Sequence, residues 1–302
     1  MKKDFVSIGS WSADELEKVL RLAVSIKANS QKYSRKLDGK AFAMIFEKPS
    51  LRTRVSFDVG IHQLGGFSIC LTQTEINLGK REAVSDVAKN LERMVQGIMI
   101  RTFSHKTVEE MAEEACIPVI NGLTDFSHPC QAIADYMTIF EVKGKIRGVK
   151  VAYVGDGNNV AHSLIFGAVR FGAHISVASP EGYEPDSKVI EWARENAAGS
   201  RVEILQDPIA AVDGADVIYT DVWTSMGAEA ETAVRQQAFR SYQVNDSLVS
   251  HAKPDFVFMH CLPAHRGKEV SDSVMDSKNS IVFQQAENRV HGQKAILLNV
   301  MQ

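Results

Sequence analysis

The stretch "EKPSLRTRVSF" (47–57) sets a proline, three hydroxyl side chains and two arginines where an apolar run, Ala41–Phe46, gives way to a helical pattern. Pro49 disfavours helical angles at Lys48, so the helix must begin later, and Ser50 is placed to cap it. The first amides of a helix lack internal partners and carry the positive end of its dipole. Arg52 and Thr53 fall in that first turn and add a guanidinium and a hydroxyl at the same spot. Together these groups suit an anion. A capped helix with exposed arginines would satisfy the stretch equally well, so the rest of the chain must decide.

Other polar residues stand at the ends of other apolar runs. Arg101 closes "GIMIR", and His128 and Gln131 lie in "NGLTDFSHPCQAIADY", where Pro129 suits a first helical turn. Asn158 and Asn159 follow "VAYVG", and Asp221, Ser225 and Met226 lie in "IYTDVWTSMG". Cys261 and Leu262 follow "FMH", and Arg289 falls in the last helical stretch. Taken singly, each has an ordinary reading: a surface histidine, a buried apolar cysteine, an aspartate capping a turn, a solvated arginine. Taken together they recur at strand carboxyl ends, where open α/β sheets bind ligands.

The elements that position them alternate. Ser12 and Glu15 have capping-box spacing before the amphipathic run "ELEKVLRLAVSIKAN". Strands are expected at 41–46, 67–71, 97–101 and 117–121, with helices at 52–64, 83–95 and 107–115 between them. A helix near 130–141 precedes "KGKIRG", after which strands at 149–155, 173–179, 201–205, 215–220 and 256–260 repeat the alternation. Short apolar strands separated by amphipathic helices indicate parallel sheets covered on both faces. The expected fold is α/β, two doubly wound parallel-sheet domains, with a first domain of 1–140 and a second of 141–284. The last helix, 285–302, is expected to pack back on the first domain, because its apolar face needs a partner. The loop 73–87 is long for a compact α/β unit, which points to a functional loop.

Composition narrows the function. The chain has 302 residues and a net charge of -3, which gives no basic face for nucleic acid. No apolar run reaches membrane-span length, and the start "MKKDFVSIGSW" lacks the apolar core of a secretory signal. Cys70, Cys116, Cys130 and Cys261 lie far apart and form no CxxC pair, so neither a disulfide framework nor a zinc site is expected. A cytoplasmic enzyme with reduced thiols, binding no membrane and no nucleic acid, fits these limits.

In order along the chain, "PSLRTR", "HPCQ", "GDGNN", "DVWTSMG" and "HCLPAHRG" resemble the ornithine carbamoyltransferases, over nearly the whole length. The first two motifs are shared with carbamoyltransferases generally; "SMG" and "HCLP" point to the ornithine branch. The resemblance implies transfer of the carbamoyl group of carbamoyl phosphate to the δ-amine of L-ornithine, giving L-citrulline and phosphate. It implies an active-site cleft between the domains, no metal or other cofactor, and a homotrimer or a multiple of one. By the family pattern Ser50, Leu51, Arg52 and Thr53 cradle the phosphate. Arg101, His128 and Gln131 meet the carbamoyl end, and Cys261, Leu262 and Arg289 complete that site. Asn159, Asp221, Ser225 and Met226 match the ornithine positions. Arg52, Arg101, His128, Asp221 and Cys261 are the expected catalytic set. One departure is Asn77: many relatives carry Gln before this "LG", in a loop that in relatives reaches a neighbouring subunit's carbamoyl phosphate pocket.

Three other readings compete. "VAYVGDGNNVAHSL" begins like a dinucleotide fingerprint, although Val160 stands where its third glycine belongs. A non-catalytic homologue would keep the fold without the reaction. A carbamoyltransferase for putrescine or an acylated ornithine would keep the reaction with another amine.

Overall fold

Six consecutive buried residues, Ala41–Phe46, form the first strand, β1, of the computed structural model, which describes residues 2–224, 227 and 229–302. β2 (Phe67–Thr72), β3 (Gly97–Arg101) and β4 (Val119–Leu123) join it in a sheet of order β2-β1-β3-β4, with every pairing parallel. The fully buried β1 and β3 are what a parallel sheet covered on both faces requires. β4 starts two residues later than the pattern suggests, because Pro118 has no N–H for the ladder.

From β1 the chain moves outward to β2 and then returns past β1 to lay down β3. The connections from β1 and β3 therefore diverge, which makes their carboxyl ends a topological switch point. Register brings the nominated segments together there. Phe46 pairs with Arg101, and the Glu47 N–H donates to the Arg101 carbonyl at 2.9 Å.

A second sheet holds β5 (Lys150–Val154), β6 (His174–Ala178), β7 (Val202–Leu205), β8 (Val217–Thr220) and β9 (Val257–His260). Its order is β7-β6-β5-β8-β9, again all parallel. The switch point here lies between β5 and β8. The chain falls into two compact units, Met1–Met137 with Glu287–Gln302, and Thr138–Ala286, so each sheet has its own unit.

Local signals set several boundaries. Ser12 and Glu15 form the expected capping box ahead of the helix Ala13–Ala28. The segment after β2 is less open than its sequence suggests. It holds a helical turn, Gln73–Ile76, and the buried Leu78 anchors it in the core of the first unit beside Val84. Periodicity missed the short helices Pro208–Val212 and Thr232–Ala238, which are too brief to show a repeat. Among the described residues, no helix is long and apolar enough to cross a membrane. All four cysteines are free.

One glycine matters for the second switch point. A Cβ on Gly157, just past β5, would lie 2.2 Å from the Pro185 backbone nitrogen and 2.3 Å from the Glu184 carbonyl carbon. Backbone cannot swing aside as a side chain can. Gly157→Ala should therefore lower stability by about 1–3 kcal/mol, seen as a lower urea midpoint. An unchanged midpoint would contradict this close approach.

Candidate active site

The helix Leu51–Gln63 begins at Ser50, whose hydroxyl accepts from the Thr53 N–H at 3.2 Å. The cap fixes the first turn beside the end of β1, with Leu51 exposed, Arg52 half-buried and Thr53 buried. The Thr53 hydroxyl faces inward and accepts from Arg289 Nη2 at 3.2 Å. Arg289 Nη1 donates to Gln131 Oε1 at 2.6 Å, and Gln131 Nε2 donates to Asp135 Oδ1 at 2.8 Å. One guanidinium thus joins the helix after β1 to the helix Pro129–Lys143 after β4. Arg289 is only 2% exposed, so it is not the solvated arginine its place in the last helix allowed.

His128 is buried next to this group. Its pKa is driven well below the usual imidazole value by burial first, and then by the charges of Arg289, Arg101 and Arg52. The three cations that lower it are three of the nominated anion residues. His128 therefore serves as a neutral ring, offering a hydrogen bond rather than a charge. Arg101 is itself buried at the end of β3. Thr53, Gln131 and Arg289 are thus joined by hydrogen bonds, while Arg52 and Arg101 stand near enough to His128 for their charges to disfavour its protonation.

A cavity of about 490 Å³ lies along the same helix, lined by Pro49, Ser50, Leu51, Arg54, Cys70 and Thr72 among others. It shares Ser50 and Leu51 with the anion group but not Arg101, His128 or Arg289. Asn77 has a backbone task. It caps the turn Gln73–Ile76 at φ 49 and ψ 56, its N–H on the Gln73 carbonyl at 2.8 Å. Its carbonyl accepts from the Lys80 and Arg81 N–H groups. Asparagine tolerates that left-handed conformation better than most residues.

In the second unit Asp221 is the hub. It follows β8 and is buried. Oδ1 accepts from the Cys261 thiol at 3.0 Å and from the Val222 N–H at 2.8 Å, while Oδ2 accepts from Asn158 Nδ2 at 2.9 Å. Asn158 spends its amide oxygen on the helix Asn159–Phe171, accepting from Val160 N and Ala161 N at 2.9 and 3.3 Å. Those amides are the ones a pyrophosphate would need, which weighs against the dinucleotide reading. Asn159 is the first residue of that helix. Ser225 and Met226 lie outside the described residues.

Cys261 follows β9, whose end is secured by Gln285: Oε1 accepts from His260 N at 2.9 Å, and Nε2 donates to the Tyr219 hydroxyl at 3.0 Å. Leu262 sits at φ 60, a region costly for a branched residue, and its N–H donates to His260 Nδ1 at 2.9 Å. That bond assigns the proton of a neutral His260 to Nε2, which lies 3.4 Å from Glu269. Asp221, His260 and Cys261 bring an oxygen, a nitrogen and a sulfur within 4.8 Å of one another, a set a soft cation could use. In this structure the carboxylate and thiol bond each other, and His260 Nδ1 accepts from the backbone.

Sequence reasoning missed Asn158 as the partner of Asp221, and it missed the buried His260–Glu269 pair. The first was visible as a polar residue at a strand end. The second joins residues nine apart across a loop and has no local signature.

Two family models cover the chain. "Aspartate/ornithine carbamoyltransferase, carbamoyl-P binding domain" matches residues 3–141, and "Aspartate/ornithine carbamoyltransferase, Asp/Orn binding domain" matches residues 147–300. The chain belongs to the aspartate/ornithine carbamoyltransferase family. It is 56% identical over 303 residues to the ornithine carbamoyltransferase of Thermococcus kodakarensis, covering 99% of this chain and 96% of the relative. The anabolic ornithine carbamoyltransferase of Pyrococcus furiosus is also 56% identical over 303 residues, with the same 99% and 96% coverage. The solved ornithine carbamoyltransferase from Pyrococcus furiosus superimposes with a TM-score of 0.96 at 56% identity, over 99% of this chain and 97% of that one. Both parallel-sheet units are those of the carbamoyltransferase fold.

The depressed His128 pKa makes a prediction with a definite sign. An unfolded histidine takes up a proton near pH 6.5, whereas folded His128 resists until lower pH. Its contribution to stability is present above pH 6.5 and is lost as the pH falls through that value toward the folded pKa. The His128 imidazole resonances should stay at their neutral positions at pH 6.5. Half-titration there would show that the ring is not enclosed by the three arginines.

Proposed function

We propose that this chain transfers the carbamoyl group of carbamoyl phosphate to the δ-amine of L-ornithine, giving L-citrulline and phosphate in arginine biosynthesis. The observation that carries the reading is the gathering of Arg52, Arg101 and Arg289 around a neutral His128. Three guanidinium groups suit a phosphate that leaves with its charge, and a neutral N–H suits a carbonyl oxygen that becomes negative during attack. The names of the close relatives supply the amine.

In the reaction the neutral δ-amine attacks the carbamoyl carbon. The C–N bond forms, the C–O bond to phosphate breaks, and the amine loses one proton. Ser50, Leu51, Arg52 and Thr53 hold the phosphate through the first helical turn and their side chains. Arg101, His128, Gln131 and Arg289 orient the carbamoyl end, with Cys261 and Leu262 completing the site. Asp221 binds the α-ammonium of ornithine, assisted by Asn159, Ser225 and Met226. Cys261, already donating to Asp221, orients the amino acid and assists proton removal without a covalent intermediate. No step calls for a cofactor.

The active form is a homotrimer or a multiple of it, in the cytoplasm. An exposed apolar strip supports self-association: Leu51, Val55 and Val59, at helical spacing, are 73%, 49% and 37% exposed. Phe67 and Ile69 on β2, 54% and 45% exposed, add a second apolar area on the strand face opposite Ser68, which bonds Asp58 of the helix. An apolar strip of this kind on a sheet edge marks an interaction surface. The turn holding Asn77 and Lys80 follows that strand, and in this reading it completes a neighbouring subunit's carbamoyl phosphate pocket.

The test is product formation with a panel of amines. With carbamoyl phosphate present, ornithine should be converted to citrulline with a kcat/KM at least about a hundredfold above putrescine, which lacks the α-carboxylate, or N-acetylornithine, whose acylated α-amine brings no ammonium to Asp221. Asp221→Asn should raise the ornithine KM by about 10- to 100-fold while carbamoyl phosphate still binds normally. Folded protein that makes no citrulline, or a variant that weakens both substrates equally, would sink the assignment.

A further inference from the structure

Arg235 belongs to no motif, yet one side chain joins three strand-end loops of the second unit. Its Nη1 donates to Asp156 Oδ2 at 3.0 Å and to the Trp223 carbonyl at 3.2 Å. Its Nε donates to Glu231 Oε2 at 2.9 Å, and its guanidinium carbon stands 4.9 Å from the centre of the Tyr183 ring. Asp156 follows β5, Tyr183 follows β6 and Trp223 follows β8. The side chains of Arg235 and Asp156 are only 15% and 12% exposed.

A pair this enclosed is an expensive way to gain stability. Burial pushes the Asp156 carboxyl up to about 6 in spite of the adjacent Arg235. Apolar residues of similar size would hold the loops together at least as well, so the pair is better explained by the position it specifies. That position concerns Asp221 from both sides. On one side the Asp156 carbonyl accepts from Asn158 N at 2.7 Å, and Asn158 in turn donates to Asp221. On the other, Trp223, whose carbonyl Arg235 holds, lies two residues beyond Asp221.

We propose that Arg235 is a positioning residue for the amino-acid substrate: by joining Asp156 to Trp223 it fixes Asp221, and so sets the affinity for ornithine. This role rests on Asp221 being the ornithine ligand. Arg235 acts through Asp156 and Trp223 on either side of Asp221, so the effect belongs in ornithine binding rather than in the anion site. A lysine can keep the charge and one bond, but it cannot reach Asp156, Trp223 and Glu231 with a single rigid fork.

The experiment compares Arg235→Ala, Arg235→Lys and Asp156→Asn with the wild-type enzyme by citrulline kinetics and by calorimetric titration of carbamoyl phosphate. The expected result is an ornithine KM raised by about tenfold or more in Arg235→Ala, with carbamoyl phosphate affinity within about twofold of wild type. Arg235→Lys should recover part of the loss, and Asp156→Asn should shift the ornithine KM the same way by less. If Arg235→Ala does not fold by circular dichroism, the other two variants carry the comparison. Equal weakening of both substrates, or an ornithine KM unchanged in all folded variants, would overturn the role. Wild-type protein that makes no citrulline would remove the ornithine reading itself, before any variant is compared.

Discussion

A guanidinium that is 2% exposed must have partners, and those partners must stay where they are. Leaving a buried cation unmatched costs several kcal/mol, far more than an ordinary surface contact is worth. Arg289 meets this constraint through Thr53 and Gln131, the first in the helix Leu51–Gln63 and the second in the helix Pro129–Lys143. The two helix starts that face the anion group are thereby fixed to the C-terminal helix. The Ser50 cap, the Phe46–Arg101 register and the neutral His128 then follow as parts of one arrangement. A cluster of positive charge held this way repels itself until an anion arrives, and that stored repulsion favours a phosphate.

The second unit solves the opposite problem. Its hub is a carboxylate, Asp221, kept buried by donors from Asn158, Cys261 and the Val222 backbone. Each donor comes from the end of a different strand or from the turn after it, as the switch point between β5 and β8 allows. Gly157 lets the β5 loop press against the backbone at 184–185, and Arg235 then closes the loops over it. The charge that would meet an ammonium is therefore positioned by a chain of hydrogen bonds rather than by one contact.

Much of this was legible in the sequence, for identifiable reasons. Apolar runs such as Ala41–Phe46 mark buried strands because a parallel strand is covered on both faces. The residues after them are polar because that edge is where a sheet of this kind meets its ligand. Ser50 and Pro49 announce a helix start by chemistry that acts within a few residues. What stayed hidden is long-range. Strand order depends on crossings that no local pattern records. The pairs Asp156–Arg235 and His260–Glu269 join residues whose neighbours give no hint of each other. Arg289 is nominated by the family pattern alone, since its place on an amphipathic helix does not foretell that packing encloses it. The left-handed backbone of Asn77, which asparagine tolerates, likewise leaves no mark in the sequence.

The account stands most directly on Arg289 as the organiser of the anion group, and calorimetric titration of carbamoyl phosphate into Arg289→Lys tests it. Lysine keeps the charge but cannot bond Thr53 and Gln131 together as a fork. The account predicts an affinity lower by about tenfold or more, in a protein whose circular dichroism is unchanged. Wild-type affinity in the folded variant would contradict it.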